Sequence, residues 1–298
     1  MMKSGNWQEF LLPTLRKIVD RHVGQLKDFV PIIYTVENSD KAQEFMHQIG
    51  SVGQMRRWDE TGNQVYYEDI HKGYKATWTH DKWSMGLTIE RELLEDTMYQ
   101  ELKARTKTLA DSIYHTRQAH AVAPFNECLS VIGPDGVPLA ATNHPVSPQN
   151  KKTWSNFAED CPLNADNVED IRNEAKTWTD DKGNKMLIQM DTLLVPSKLR
   201  KQAMIVADTD KEPDTAMNNV NIWKGSVNVI EWDFLDDPNM WFFVDMNRMK
   251  RFLYWFERRK PTLAQDKEDF DTEVGKYKVV GRWSLGPSES SFFYACKQ

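Results

Sequence analysis

The fold is decided between Tyr66 and Pro124, where the sequence runs YYEDIHKGYKATWTHDKWSMGLTIERELLEDTMYQELKARTKTLADSIYHTRQAHAVAP. Up to Glu90 this stretch alternates apolar and polar residues and is rich in Tyr, Trp, Thr and Ile, which is typical of extended strands. Beyond Glu90 the apolar residues recur at the spacing of one helix face, and no Gly or Pro lies between Leu87 and Val122. The change of period predicts a long strand hairpin followed by one long amphipathic helix.

The predicted helix ends at Pro124, because proline has no backbone N–H with which to continue the hydrogen-bond ladder. Roughly thirty helical residues are about 45 Å long, whereas helices in compact domains average about eleven or twelve residues. The polar face is acidic at its start and basic later, as the helix dipole favours. These features indicate either an ordinary α+β core with one long helix, or a subunit whose extended parts are completed by its neighbours.

Short elements are predicted before this stretch. Apolar residues at helical spacing predict a helix from Leu11 to Leu26, and residues 29–36 are rich in strand-forming types. Asp40 and Gln43 resemble a capping box, which predicts a short helix that ends at Gly50. Residues 1–50 are therefore expected to form an arm of short elements without a core of their own.

Composition limits the classes of protein that this chain can represent. The 298 residues include 38 Lys and Arg against 44 Asp and Glu, which gives a net charge of −6. A dedicated nucleic-acid-binding protein needs a concentrated positive field, so this class is disfavoured. Hydrophobic residues make up 40% of the chain, which predicts a folded protein. The 11 Trp are far above ordinary usage, and Trp is enriched at interfaces as well as in cores.

Cysteine usage and the terminal sequence bear on the compartment. Cys128, Cys161 and Cys296 are isolated from one another in sequence, which indicates a reducing compartment and no disulfide framework. No apolar run approaches the roughly eighteen to twenty residues needed to span a bilayer. The start, Met1–Ser4, lacks the apolar segment of a signal peptide. We expect synthesis in a cytoplasm and no membrane association.

No motif for catalysis or cofactor binding is found. The chain has no glycine-rich phosphate loop, no HExxH and no GxSxG. His115 and His120 are five positions apart and do not share a helix face as zinc ligands would. Adjacent acidic pairs such as Glu68 and Asp69 are far more often solvated surface than an acid–base pair. We expect no catalytic residue, no cofactor and no metal, and hence a protein that is not an enzyme.

Five short segments instead form an ordered series along the chain. They are Tyr66–Asp69 with Thr77–His80, then Leu87–Asp96, Asp135–Leu139 with Thr142–Pro145, Asp191–Pro196, and Phe256–Pro261. In this order they resemble the major capsid protein of tailed phages, and the third resembles the DGxPL…TxHP segment of Mu-like major head subunits. The last resembles the family's QERRKP segment, with Phe256 where Gln is usual. The likeness covers nearly the whole chain from about Thr35.

The resemblance implies an α+β fold of the Hong Kong 97 type. The parts expected are an N-terminal arm (1–50), an E-loop hairpin (51–90) and the spine helix of a peripheral domain (91–127). A mainly axial domain (128–226) follows, and then a return to peripheral-domain strands (227–298). Because only about fifty residues precede the E-loop, a scaffolding region is absent from this part of the chain, which implies a separate scaffolding protein.

The function implied is that of a major capsid protein that assembles with itself, as pentamers and hexamers, into an icosahedral shell around double-stranded phage DNA. Other implied partners are a portal, decoration proteins and packaged DNA bound non-specifically, and the implied location is the virion. Two alternatives stay open: an encapsulin-like shell around a cargo enzyme, and a soluble enzyme with an unrecognised site. The inter-subunit contact candidates are Trp58, Glu68, Asp69, Trp78, Arg258 and Arg259.

Overall fold

A computed structural model of the protein describes residues 7–57, 65–90, 99–211, 220–265 and 274–298. The described helices are α1 (Trp7–Gln25), α2 (Val30–Ile33), α3 (Tyr99–Asn126), α4 (Ala165–Ala175), α5 (Arg200–Asp208) and α6 (Met246–Phe252). The described strands are β1 (Thr35–Asn38), β2 (Gln43–Ile49), β3 (Lys72–Thr79), β4 (Asp81–Glu90), β5 (His144–Pro145), β6 (Thr153–Trp154), β7 (Phe157–Ala158), β8 (Thr192–Val195), β9 (Asn228–Glu231), β10 (Met240–Val244), β11 (Leu253–Gln265), β12 (Val274–Pro287) and β13 (Phe293–Lys297).

The chain divides into two units, each of which gathers three separated segments. The first unit contains Met1–Glu44, Trp78–Ala121 and Trp255–Leu285, and the second contains the remaining segments, Phe45–Thr77, Val122–Tyr254 and Gly286–Gln298. The resemblance assigns residues 227–298 to the return to peripheral-domain strands. Of these, residues 227–254 belong to the second unit, together with the middle of the chain. The segment that returns to the first unit begins at Trp255.

The first unit is a four-stranded sheet with two long helices. The strand order is β1-β11-β12-β4, and β4 pairs antiparallel with β12 along its whole length. Apolar side chains from α1, α3 and this sheet form one core, because each element has one apolar face that it must bury. Members of this core include Leu15, Val19, Ile89, Leu102, Leu109, Ile113, Tyr277 and Val279.

The predicted hairpin exists in a different form. β3 pairs with β2, and β4 pairs with β12, so the two halves of the stretch 72–90 do not pair with each other. Residues 65–71, which include Tyr66 and Tyr67, lie outside any strand. The extended conformation was predicted correctly for β3 and β4, but alternation within a strand does not encode which strand it pairs with.

The same pairing corrects the expectation of a helix that ends at Gly50. Residues 43–49 form strand β2, in which half-buried and exposed residues alternate. The capping-box pattern of Asp40 and Gln43 lacks a following apolar helix face, so strand pairing with β3 prevails over a weak local signal.

The long helix is present, and it continues through Pro124, which was expected to end it, to Asn126, one residue short of the expected bound of 127. α3 runs from Tyr99 to Asn126 and includes Pro124, while the proposed first turns, 91–98, lie outside the described residues. The helix continues because the residue after the proline is held by packing. Phe125 is 3% exposed and contacts the rings of Trp232 and Phe242, with centroids 5.8 and 5.4 Å away.

The second unit is built on a five-stranded sheet of order β7-β13-β10-β8-β9. Its central strand, β10, has the sequence MWFFV and is buried at every position. β10 pairs antiparallel with β13 and β8, and β9 adds in parallel to β8. Helices α4 and α5 contribute apolar side chains such as Val168, Ile171 and Ala203 to the core of this unit.

Candidate assembly surfaces

The segment from β2 to β3, residues 43–57 and 65–79, exposes a large amount of apolar surface. This segment is called the arm below and is distinct from the N-terminal arm expected at 1–50. Eight of its apolar side chains are between 53% and 101% exposed. They are Phe45, Ile49, Val52, Met55, Val65, Tyr66, Tyr67 and Ile70. Many exposed apolar side chains on one segment are typical of a site where another protein binds, because their contact with water is unfavourable.

Strand β2 shows how the sequence produces this surface. Phe45, His47 and Ile49 alternate with Glu44 and the other half-buried residues of the strand, so the apolar Phe and Ile lie on its exposed face. A strand that served only its own subunit would bury this face. The alternation of residues 43–49 therefore indicates a strand with an exposed apolar face, whereas the capping-box pattern had predicted a helix.

Polar contacts hold the inner side of the arm within the second unit. The backbone N–H and the hydroxyl of Ser51 both donate to Asp181 Oδ1, at 2.9 and 2.5 Å. Lys182 forms a hydrogen-bonded ion pair with Glu68, whose other carboxylate oxygen accepts from the N–H of Gly53 at 2.9 Å. These contacts fix the arm through polar groups and leave the eight apolar side chains named above exposed.

The turn that presents Asp181 and Lys182 is locally determined. Asp180 Oδ1 accepts from the N–H groups of Lys182 and Asn184, at 3.0 and 2.7 Å. Gly183 has φ of 84°, a left-handed conformation that glycine adopts without steric cost. The hydrogen bond from Lys182 lowers the pKa of Glu68, and the same bond raises the pKa of Lys182, so each stabilises the charged form of the other.

The six predicted contact residues fall into three groups. Trp58 lies outside the described residues. Two are exposed, Asp69 and Arg259. The other three contact residues of their own chain. Glu68 pairs with Lys182, Trp78 packs on Phe256, and Arg258 pairs with Asp40.

Trp78 and Arg258 are engaged in the first unit. Trp78 is 6% exposed and packs on Phe256, with ring centroids 5.1 Å apart, so its own chain already covers most of it. Arg258 Nη1 lies 3.1 Å from Asp40 Oδ1 and donates to the carbonyl of Ser39 at 3.0 Å. Arg258 is thus paired within its own chain.

A shallow apolar groove lies on the first unit, beside β4. It has a volume of about 90 Å³ and is lined by Trp83, Met85, Ile113, Pro261 and Trp283, among others. Trp83 and Met85 are 37% and 52% exposed. The groove has no signature in the sequence, because its wall combines residues from β4, α3, β11 and β12.

The DGVPL…TNHP segment forms a buried polar network in the second unit. His144 is 0% exposed; its Nδ1 lies 2.6 Å from Asp135 Oδ2, and its Nε2 lies 3.0 Å from Asn156 Oδ1. The His144 ring stacks on Trp154 with centroids 4.6 Å apart. Gly136 has φ of 86°, which explains the glycine in the turn. These contacts give the buried polar atoms hydrogen-bond partners, so the segment stabilises the local backbone conformation.

A second cavity, of about 350 Å³, lies in the second unit between the arm and the 180–183 turn. Its charged groups are largely engaged: Arg248 Nη2 lies 3.0 Å from Glu289 Oε1 and 2.5 Å from Ser291 Oγ. Over the described ranges, no cluster of three or more His, Cys, Asp or Glu is arranged to hold a metal ion. The helices described here include none that is long and apolar enough to cross a bilayer.

Comparison with known proteins identifies what this architecture is similar to. A family model described as phage capsid protein matches residues 74–294. No curated protein matches the chain.

Solved structures from several sources are similar to this fold, and three of them are described next. The capsid of bacteriophage JBD30 decorated with minor capsid protein trimers is 15% identical, with a TM-score of 0.57 over 71% of this chain and 92% of that one. The bacteriophage PhiM1 mature capsid is 12% identical, with 0.56 over 91% and 87%. The virus-like particle from Pyrococcus furiosus is 10% identical, with 0.57 over 96% and 99%. At these identities the likeness establishes the fold, and it confirms the predicted α+β fold of the Hong Kong 97 type.

Proposed function

The chain belongs to the phage capsid protein family, and from this premise we propose that its copies assemble through the arm into a closed icosahedral shell around phage DNA. It is a structural shell protein and a virion component. The observation that carries the proposed role of the arm is its exposed apolar surface. Host cytoplasmic synthesis belongs to the same proposal.

The energetics of the arm favour burial against a second copy. Fully burying a side chain of the size of Ile or Met contributes about 1.5–3 kcal/mol. Several such side chains on one arm therefore provide enough free energy for a stable contact, even after the cost of ordering two subunits. In a closed shell the same contact repeats around every symmetry axis, so a modest contact is multiplied.

The groove beside Trp83 is the surface that we propose receives the arm of a neighbour. It is apolar and concave, and it lies beside β4, which pairs with β12 along its whole length. The first unit would then correspond to the peripheral domain and the second to the axial domain.

Neither of the two alternative functions is favoured by the family match. The matching family model is that of phage capsid proteins, which does not favour an encapsulin-like cargo shell. The similarity to the Pyrococcus particle is one of fold. A soluble enzyme has no support from the family, and the structural role accounts for the exposed arm without a catalytic site.

Further partners are part of the proposal. The JBD30 capsid is decorated with minor capsid protein trimers, and we propose that decoration proteins, a portal and a separate scaffolding protein act on this shell too. Packaged DNA would make only non-specific contacts, because a chain with a net charge of −6 does not present the concentrated positive field that a dedicated DNA-binding site needs. Co-expression with the scaffold should convert irregular assemblies into uniform shells, and an unchanged size distribution would remove the scaffold from the proposal.

Self-assembly is the first expected result. Purified protein analysed by size exclusion with light scattering should form pentamers, hexamers, tubes or shells, and negative-stain microscopy should show them directly. The reason is that eight apolar side chains of the arm are left in water in the isolated subunit. A stable monomer of 34.7 kDa at high concentration, with or without scaffold, contradicts the proposal.

Asp69 and Arg259 form the charge pair that we propose between neighbouring copies, since both are exposed while Glu68 and Arg258 are already paired. Arginine suits bidentate pairing with a carboxylate, which fixes register. An exposed pair contributes only about 0.2–1 kcal/mol, but assembly responds to the sum over many copies.

Reversing this pair is expected to reduce assembly and then restore it. Arg259→Glu should lower the yield of shells, and adding Asp69→Lys should recover part of it, because the charges are exchanged rather than removed. Lys278→Glu is the matched control, since Lys278 is an exposed cation on the neighbouring strand β12 of the same sheet. Particle counts by microscopy provide the measurement. Equal loss with Lys278→Glu, or no recovery in the double variant, argues against the pair.

A further inference from the structure

Two cysteines that are distant in sequence meet in the core of the second unit. Cys161 follows β7, and Cys296 lies in β13. They belong to one apolar cluster and are 8% and 0% exposed. Both side chains enter the same core, and a hydrogen bond between the two thiols lowers the pKa of Cys161.

Backbone contacts fix this pair from both sides. The N–H of Cys161 donates to the carbonyl of Lys297 at 2.8 Å, so the segment after β7 is joined to β13 next to Cys296. Trp241 is the cross-strand partner of Cys296, and its indole N–H donates to the carbonyl of Cys161 at 2.9 Å. Asp160, at φ of 51°, turns the chain into this position. The approach of the two thiols is therefore part of the fold and does not depend on a flexible loop.

We propose that Cys161 and Cys296 are an oxidation site, at which a small-molecule disulfide such as oxidised glutathione converts the two thiols into an intrachain disulfide. All three cysteines are free in this structure. The bond would join the edge segment after β7 to the C-terminal strand and close the chain between residues 161 and 296. A link across so long a separation restricts the unfolded chain strongly and stabilises the folded unit.

The reaction balances as two thiol–disulfide exchanges. The Cys161 thiolate attacks one sulfur of the oxidant, which releases one glutathione thiolate and leaves a mixed disulfide on Cys161. Cys296 then loses its proton and attacks Cys161 Sγ, which expels the second glutathione thiolate. Two electrons pass from the protein to the oxidant, and the two thiol protons are taken up by the two glutathione thiolates.

The structure assigns the first attack to Cys161. It is the more exposed of the two, and it lies beside β7, a two-residue edge strand whose local opening costs less than opening the sheet centre. The hydrogen bond from Cys296 lowers the pKa of Cys161, whereas burial raises the pKa of Cys296. Cys128, fully buried and with its pKa raised to about 12 by burial, lies apart from this cluster and serves as the internal control.

Oxidation of the purified full chain tests the proposal. After treatment with oxidised glutathione at mildly alkaline pH, intact mass should fall by about 2 Da, and thiols titrated in denaturant should fall from three to one. Peptide mapping should recover the segments around residues 161 and 296 as one linked species. The oxidised protein should also melt at a higher temperature than the reduced protein.

Single variants identify the sulfurs involved. Cys161→Ser and Cys296→Ser should each abolish the mass loss, whereas Cys128→Ser should leave it unchanged. Circular dichroism checks that each variant folds, and the comparison of oxidised with reduced wild-type protein needs no variant. Unchanged mass, a persistent glutathione adduct on Cys161, or a linkage that includes Cys128 would each overturn the proposal.

Discussion

Replacing three exposed apolar side chains of the arm is expected to abolish shell formation while the subunit stays folded. The variant is Ile49→Ser with Met55→Ser and Tyr67→Ser, at positions that are 82%, 101% and 87% exposed. These side chains contribute little to the fold of the subunit, because they contact mainly water. At a neighbour's surface each one contributes about 1.5–3 kcal/mol when fully buried, and about 1.4 kcal/mol is a tenfold change in an association constant. The measurement is size exclusion with light scattering, supported by particle counts in microscopy.

A matched control separates loss of apolar area from disturbance of the arm. Gln54→Ser with Arg57→Ser and Lys72→Ser changes three exposed polar residues of the same arm. This variant should assemble nearly as well as the wild type. A groove variant, Met85→Ser with Trp83→Ser, should reproduce the defect of the arm variant if the groove receives the arm. Normal shells from the triple apolar variant would exclude the arm as the main contact, and normal shells from the groove variant would assign the arm a different receiving surface.

Removing one partner of the buried ion pair in the first unit is expected to cause the largest loss of folding stability among charge changes. Arg117 Nη1 lies 2.6 Å from Glu257 Oε1, and the two side chains are 13% and 6% exposed. Arg117→Met leaves the Glu257 carboxylate buried without this partner, and such a change costs about 3–5 kcal/mol. Chemical denaturation followed by circular dichroism measures the free energy of unfolding.

A double variant tests whether the buried charge causes the loss of stability. Arg117→Met with Glu257→Leu removes both charges and replaces them with apolar groups, so most of the lost stability should return. Glu101→Ala is a control on an exposed pair, since Arg105 Nη2 lies 2.6 Å from Glu101 Oε1 at the surface of α3 and the pair contributes little. A double variant as unstable as Arg117→Met alone would show that side-chain packing, including Arg117 over the Trp255 ring, outweighs charge burial.

The sequence by itself determined the periodic elements and the family. The spacing of apolar residues predicted α3, because a helix face repeats within a few residues of chain and needs no distant partner. The same holds for the extended conformation of β3 and β4. The ordered motifs between Tyr66 and Pro261 pointed to phage capsid proteins, and the family match agrees.

Only the tertiary structure decided which distant groups meet. In the folded chain β4 pairs with β12 and β3 pairs with β2. The packing of Phe125 allows α3 to continue beyond Pro124, and Arg258 forms an ion pair with Asp40. The approach of Cys161 to Cys296 is of the same kind. Local propensity is set by neighbours along the chain, whereas strand partners, ion pairs and thiol contacts depend on the free energy of packing residues that the sequence keeps far apart.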